Sequence, residues 1–134
     1  MSGLVIKLGP KERVLLNGAV IENGERRSRF SVVTPDAKIL RLRDALHPDQ
    51  ANTPVSRVCY ETQLMLTGDA DPNLTKLHIL TRIEELSQIF TDADSRRHIA
   101  AATEALIHEQ HYQCLKALRS LLSREQRLFA HRSM

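Results

Sequence analysis

The sequence predicts an α+β fold. An N-terminal antiparallel β-meander or sandwich-like domain (residues 1–68) is followed by a C-terminal bundle of three helices (residues 69–134). Two Asn-Gly pairs in the first half are flanked by apolar runs, which is typical of β-hairpin turns. After residue 74 the apolar residues recur every three or four positions, as on one face of an α-helix. The 134 residues are 42% hydrophobic, which is enough to bury a core.

The first half contains four or five predicted strands separated by turn residues. The apolar runs that we interpret as strands cover residues 4–8, 13–16, 19–22, 30–34 and 38–43. The turns between them are Gly9-Pro10, Asn17-Gly18, Asn23-Gly24 and Pro35-Asp36. Asn17-Gly18 is the strongest of these signals, because Asn and Gly tolerate the positive φ angles of a type I′ hairpin.

The segment from Val55 to Leu66 fits two structures. Its alternating residues fit a strand: Val58, Tyr60, Thr62, Leu64 and Leu66. A second pattern fits a helix that begins at Thr53-Pro54: Val55, Val58, Thr62 and Met65. We favour the strand, because turn residues bound the run on both sides.

The second half, after the boundary at residues 68–72, is predicted to be helical. Each of the three predicted helices has one apolar face. In the first helix this face consists of Leu77, Leu80, Ile83, Leu86 and Phe90. In the second helix it consists of Ile99, Ala102, Leu106 and Ile107, and in the third helix of Cys114, Leu115, Leu118, Leu121, Leu122 and Phe129. Asp92 and Asp94 stand where helix N-caps are needed. Three such helices and apolar strands leave more apolar surface than one small core consumes, so we expect a homo-oligomer.

The sequence offers little support for an enzyme or a cofactor site. It has no Gly-rich phosphate loop, GxSxG, HExxH or CxxC motif. Glu104, His108 and His111 are spaced i, i+4 and i+7 and could bind a metal from one helical face, although a polar solvent face is the simpler interpretation. Cys59 and Cys114 match no zinc spacing, and we interpret them as buried thiols of a reducing cytoplasm.

No segment of the sequence predicts membrane insertion or export. There is no run of 18 apolar residues, so we expect no transmembrane helix. The apolar part of the N-terminus is too short for a secretory signal and lacks a basic leader.

Basic residues are concentrated between positions 26 and 43. Six of them share this interval with a single acid, Asp36: Arg26, Arg27, Arg29, Lys38, Arg41 and Arg43. Strand alternation would place Arg41 and Arg43 on one face. Clustered guanidinium groups bind phosphate oxygens well, so these six are our candidate nucleic-acid-binding residues, although a solvated sheet face is the simpler interpretation of the charges alone. A second basic set on the last helix is interpreted as its water-facing side: Lys116, Arg119, Arg124 and Arg127.

Three segments resemble the FlbT family of flagellar regulators: Leu15–Arg27 with its two Asn-Gly turns, Thr53–Met65, and His111–Leu122. The resemblance covers nearly the whole chain in order. It implies a cytoplasmic, non-enzymatic post-transcriptional repressor of flagellin synthesis, without a cofactor. Such a repressor would associate with the 5′ untranslated region of flagellin messenger RNA and promote its degradation, and a small FlaF-like regulator would oppose it.

A different class of function is also open. The helical half could be a protein-binding module or chaperone that grips flagellin or a small flagellar partner and affects the messenger indirectly. The broad apolar stripe of the last predicted helix favours this alternative.

Overall fold

A computed structural model describes residues 4–17, 19–35, 37 and 39–132. The α+β class is confirmed, because within these residues antiparallel strands come first and helices follow. The strands are β1 (Leu4–Leu8), β2 (Arg13–Leu16), β3 (Ala19–Glu22), β4 (Ser28–Val32) and β5 (Ile39–Arg41). The helices are α1 (Pro54–Thr67), α2 (Pro72–Ile89), α3 (Ala93–Ile107), α4 (His111–Arg119) and α5 (Leu122–Arg132). Short 3-10 turns at Leu42–Asp44 and Pro48–Gln50 lie between the two parts.

The strands form two small antiparallel sheets, β1–β4 and β3–β2–β5. The predicted β2–β3 hairpin is confirmed, since Leu16 pairs with Ala19 and Asn17 has a φ of 49°; Gly18 and Asp36 lie outside the described residues. The chain order is not that of a simple meander, because β1 pairs with β4 and β2 pairs with β5. Both are long-range pairings, which local turn signals do not encode. The sheets share a small apolar core of Ile6, Leu8, Val14 and Val32.

The strand favoured for residues 55–66 is wrong, and the segment is helix α1. Thr53 caps this helix: its hydroxyl accepts a hydrogen bond from the Ser56 N–H at 3.2 Å, and the Ser56 hydroxyl accepts from the Thr53 N–H at 2.8 Å. Such a reciprocal capping box stabilises a helix start, and Pro54 fits the first turn. The apolar residues that the helix buries have helical spacing: Val55, Val58, Cys59, Met65 and Leu66.

The helices surround one large apolar core, against which Leu40 of β5 also packs. The predicted third helix is two helices, α4 and α5, which meet at Ser120–Leu121. Some residues assigned to apolar faces are exposed instead, among them Leu77 (69%), Ile107 (53%) and Phe129 (42%). A division into two domains at residue 68 stays a prediction, and α1, although N-terminal to that point, packs against α4 and α2.

Cys59 and Cys114 are free thiols buried in the helical core, as predicted. Burial raises the pKa of both to about 12, because the core penalises the charged thiolate. None of the helices in the described part of the chain is both long and apolar enough to cross a bilayer.

Candidate nucleic-acid interface

The two sheets border an open depression of about 620 Å³ that is rich in basic side chains. We call it the basic depression. Its lining residues are Lys7, Leu8, Gly9, Pro10, Glu12, Arg27, Ser28, Arg29, Arg41 and Arg43. They come from the end of β1, the turn that follows it, the residue before β4 and the start of that strand, and the end of β5 with the adjoining 3-10 turn.

Four of the six predicted RNA-binding residues line this depression: Arg27, Arg29, Arg41 and Arg43. Arg26 is exposed nearby but is not among the lining residues. Lys38 lies outside the described residues. Sequence reasoning missed Lys7, because it belongs to a strand distant in sequence from the Arg26–Arg43 interval.

Register in the β1–β4 sheet explains how two of the cations meet. Lys7 lies directly opposite Arg29, and both are exposed. The strand neighbours of Lys7, Ile6 and Leu8, are buried in the small core. Because successive side chains of a strand alternate between faces, burying these neighbours turns Lys7 towards water. Arg29 lies directly opposite on β4 and shares that face.

Arg41 and Arg43 both line the depression, but they do not lie on one face of a single strand as predicted. Arg41 is the last residue of β5, and Leu42–Asp44 is a 3-10 turn, so strand alternation does not extend to Arg43. The two side chains still line the same depression, and Arg43 is the more exposed, at 65% against 21% for Arg41.

Asn23, from the second Asn-Gly pair, fixes the turn that leads into β4. Its side-chain Nδ2 donates to the carbonyl oxygens of Gly9 at 2.7 Å and of Arg26 at 2.9 Å. Its Oδ1 accepts from the Ser28 hydroxyl at 2.6 Å, and its backbone N–H donates to the Glu12 carbonyl oxygen at 2.9 Å. Asn23 therefore ties the turn after β1 to the turn before β4.

Glu12 places one carboxylate within the basic depression. Its Oε1 accepts from the Gly9 N–H at 2.9 Å, and its Oε2 accepts from Arg41 Nη1 at 2.6 Å. The Nε of Arg43 lies 3.6 Å from Oε2. The hydrogen bond from Gly9, followed by that from Arg41, holds the pKa of Glu12 below its usual value, so this carboxylate is charged at neutral pH.

The remaining cations of the depression have no such partner. Within the part of the chain that the structure describes, no carboxylate forms an ion pair with Lys7, Arg27 or Arg29. Counting only residues that the structure describes, the depression holds five basic side chains and one carboxylate, a balance that attracts a polyanion.

The structure does not bring together the three residues considered as metal ligands. Helix α3 ends at Ile107 and α4 begins at His111, so Glu104, His108 and His111 do not share one helix as the metal interpretation required. Among the described residues there is no group of three or more His, Cys, Asp or Glu that could hold a metal ion.

The second basic set is divided between ion pairs and solvent. Arg119 Nη2 lies 3.4 Å from Asp44 Oδ1, and Arg124 pairs with Asp94. Lys116 and Arg127 are exposed. The predicted water-facing side is therefore confirmed for Lys116 and Arg127, whereas Arg119 and Arg124 are half-buried against carboxylates of other elements.

Comparison with known proteins agrees with the resemblance found in the sequence. The family model described as flagellar protein FlbT matches residues 4–129. A protein of Rhodopseudomonas palustris (strain TIE-1), named probable flagellum biosynthesis repressor protein FlbT, is 33% identical over 95% of this chain and 98% of its own. A protein of the same name from Caulobacter sp. (strain K31) is 29% identical over 96% and 97%. The flagellum biosynthesis repressor protein FlbT of Caulobacter vibrioides (strain ATCC 19089) is 27% identical over 96% and 90%. No solved structure gives a significant match. The chain therefore belongs to the FlbT family of flagellar proteins.

Proposed function

We propose that this protein is a cytoplasmic post-transcriptional repressor of flagellin synthesis. It associates with the 5′ untranslated region of flagellin messenger RNA through the basic depression and promotes degradation of that messenger. The protein has no hydrolytic role of its own in this proposal, and a recruited ribonuclease cleaves the RNA. A small FlaF-like regulator opposes the effect.

The observation that carries this proposal is the convergence of basic side chains from separate strands on one water-facing depression. Arg27, just before β4, and Arg29, within β4, enter it from one side. Arg41, at the end of β5, and Arg43, in the 3-10 turn that follows, enter it from the other. Guanidinium groups hold phosphate oxygens in a planar fork, and each phosphate they neutralise releases counterions. No aromatic residue lines the depression in the described part of the chain. We therefore expect contact with the phosphate backbone rather than stacking on bases.

A salt titration of binding to a flagellin leader RNA tests this function. For single-stranded RNA, the logarithm of the affinity falls with the logarithm of salt concentration by about 0.7 for each phosphate neutralised. Arg27→Ala should weaken binding several-fold and flatten that slope by about 0.7. Arg96→Ala, at an exposed position of α3, is the matched control and should change neither. Affinity that is independent of salt would refute the proposal.

A second candidate function, the protein-binding module, has a specific observation of its own. The apolar stripe that first favoured it is occupied, because Cys114, Leu115 and Leu118 are buried in the helical core. A second groove of about 670 Å³, which shares Arg41 with the basic depression, lies between β1, β5 and the α3–α4 corner. Its lining includes the exposed side chains of Leu4 and Val5. An apolar segment of a FlaF-like regulator or of flagellin would fit such a groove.

A variant in the groove distinguishes the RNA-binding function from the protein-binding function. Val5→Asn places a polar, uncharged side chain in the groove and adds no charge beside Lys7, which lies two residues further along β1. If the protein binds a protein partner there, Val5→Asn should weaken binding to the FlaF-like regulator or to flagellin while RNA affinity is retained. If the purified protein does not bind leader RNA but binds flagellin or the FlaF-like regulator tightly, the protein-binding function replaces the RNA-binding function.

We also propose self-association. All four residues of β3 are exposed, including Val20 at 56%, and β3 stands at the edge of its sheet. An exposed edge strand with apolar side chains pairs readily with another strand. Light scattering should therefore give a mass above 15.2 kDa, and Val20→Lys should return the protein to that mass. A monomer at high concentration would refute self-association.

A further inference from the structure

The charges of the basic depression are unequally compensated. Lys7 and Arg29 are direct partners across β1 and β4, and like charges directly opposite each other destabilise a sheet. Neither they nor Arg27 forms an ion pair with a carboxylate among the described residues. This side of the depression therefore carries repulsion that a bound anion would relieve.

The opposite side already has its anion. Both oxygens of Glu12 are engaged, by the Gly9 N–H and by Arg41, and its side chain is only 12% exposed. The Nε of Arg43 lies 3.6 Å from the same carboxylate. A phosphate that approached Arg41 would meet the negative charge of Glu12 at short range.

We propose that Lys7, Arg27 and Arg29 form the primary phosphate subsite of the basic depression. Glu12 directs the anion to that subsite, because it neutralises Arg41 and repels phosphate from its side of the depression. Glu12 is thus a positioning residue that limits the affinity for RNA. This inference rests on the proposed RNA-binding function and assigns roles to Lys7 and Glu12, which lie outside the Arg26–Arg43 interval.

The first test compares the two sides of the depression. Binding of a short fluorescent oligouridylate to the full chain is measured at low salt. Arg29→Gln should weaken binding more than Arg43→Gln, although Arg43 is highly exposed and accessible to a ligand. An equal loss in both variants, or a larger loss in Arg43→Gln, would overturn the inference.

The second test asks for a gain of binding. Glu12→Gln removes the charge and keeps one oxygen, which can accept from Gly9 or from Arg41 but not from both. Oligouridylate should therefore bind several-fold more tightly. Its salt slope should be steeper by up to about 0.7. Glu22→Gln is the matched control, because it removes one negative charge, as Glu12→Gln does. Glu22 pairs with Arg13 on the β2–β3 hairpin and does not line the depression. Unchanged or weaker binding by Glu12→Gln, or an equal gain in the control, would contradict the role of Glu12.

A third measurement needs no RNA. Removing one member of the repulsive Lys7–Arg29 pair should stabilise the protein at low salt, so Arg29→Gln should raise the unfolding midpoint by about 1–4 °C. Inorganic phosphate should raise the midpoint of the wild type more than that of Arg29→Gln. If the wild type binds neither oligouridylate nor the flagellin leader RNA, the RNA function is refuted and this measurement decides the subsite alone. If phosphate raises the unfolding midpoint of the wild type and of Arg29→Gln equally, the assignment of the phosphate subsite is wrong.

Discussion

Replacing Glu125 should destabilise the protein more than its place near the end of the chain suggests. Glu125 belongs to α5, yet its carboxylate lies at the first turn of α1, and the residue is only 5% exposed. It accepts from the Thr53 hydroxyl at 2.5 Å and from the Val55 N–H at 2.9 Å. These contacts join residues 72 and 70 positions apart. The carboxylate also faces the positive end of the α1 dipole.

The expected magnitude follows from the two hydrogen bonds. A hydrogen bond to a charged group contributes about 1.5–3 kcal/mol, and a buried N–H left without a partner costs about 1–3 kcal/mol. Glu125→Ala removes both bonds and orphans the Val55 N–H. We therefore expect it to lower the free energy of unfolding by about 3–4 kcal/mol. Glu125→Gln retains an acceptor oxygen and should cost about half as much.

Urea denaturation of the full chain, followed by circular dichroism, measures this difference. Glu104→Ala on α3 is the matched control, because Glu104 is an exposed helical glutamate, and its effect should stay within about 0.5 kcal/mol. A double-mutant cycle with Thr53→Ala would isolate the coupling between the two side chains. A loss below about 0.5 kcal/mol in Glu125→Ala, equal to the control, would refute the idea that this contact docks α5 on α1.

Three further predictions concern other parts of the molecule. Gln63 bonds to both backbone groups of Leu46, accepting from its N–H at 2.6 Å and donating to its carbonyl at 3.0 Å. Gln63→Ala should therefore lower the free energy of unfolding by about 2 kcal/mol in urea titrations, and a change near zero would contradict that. With their pKa raised to about 12 by burial, Cys59 and Cys114 should react with a thiol reagent only on unfolding; rapid labelling of the native protein would disprove their burial. The pKa of Glu12 is lowered, so its contribution to stability is complete above pH 4.5 and disappears as the pH falls through the lowered value. Glu12→Gln should accordingly show a flatter loss of unfolding midpoint below pH 4.5 than the wild type, and parallel curves would contradict the shift.

Turn and cap residues in the sequence correctly predicted a hairpin and a helix start, because each of these depends on only a few neighbouring residues. Asn17 adopts the positive φ expected of the hairpin, and Asp92 caps α3 by accepting from the Ser95 N–H at 3.0 Å. Residues 55–66 show where such signals conflict, since the run satisfies both a period of two and a period of 3.6. The capping box at Thr53 was the deciding signal, because it stabilises only a helix.

The candidate site was predictable only in part, for a physical reason. The charge density of residues 26–43 pointed to four of the lining residues, Arg27, Arg29, Arg41 and Arg43. The convergence of these residues with Lys7 and Glu12 depends on the β1–β4 and β2–β5 pairings, which bring together residues distant in sequence. Composition reports how many charges a segment carries, and only the pairing of strands determines which carboxylate neutralises which guanidinium.

Nuclear magnetic resonance of isotope-labelled protein, titrated with flagellin leader RNA, tests the central claim most directly. We expect the largest chemical-shift changes at the amides of Lys7, Arg27 and Arg29, with smaller ones at Gly9. These changes should disappear as salt is added. Shifts confined to the apolar groove around Val5, or the absence of any shift at low salt, would contradict RNA binding by the basic depression.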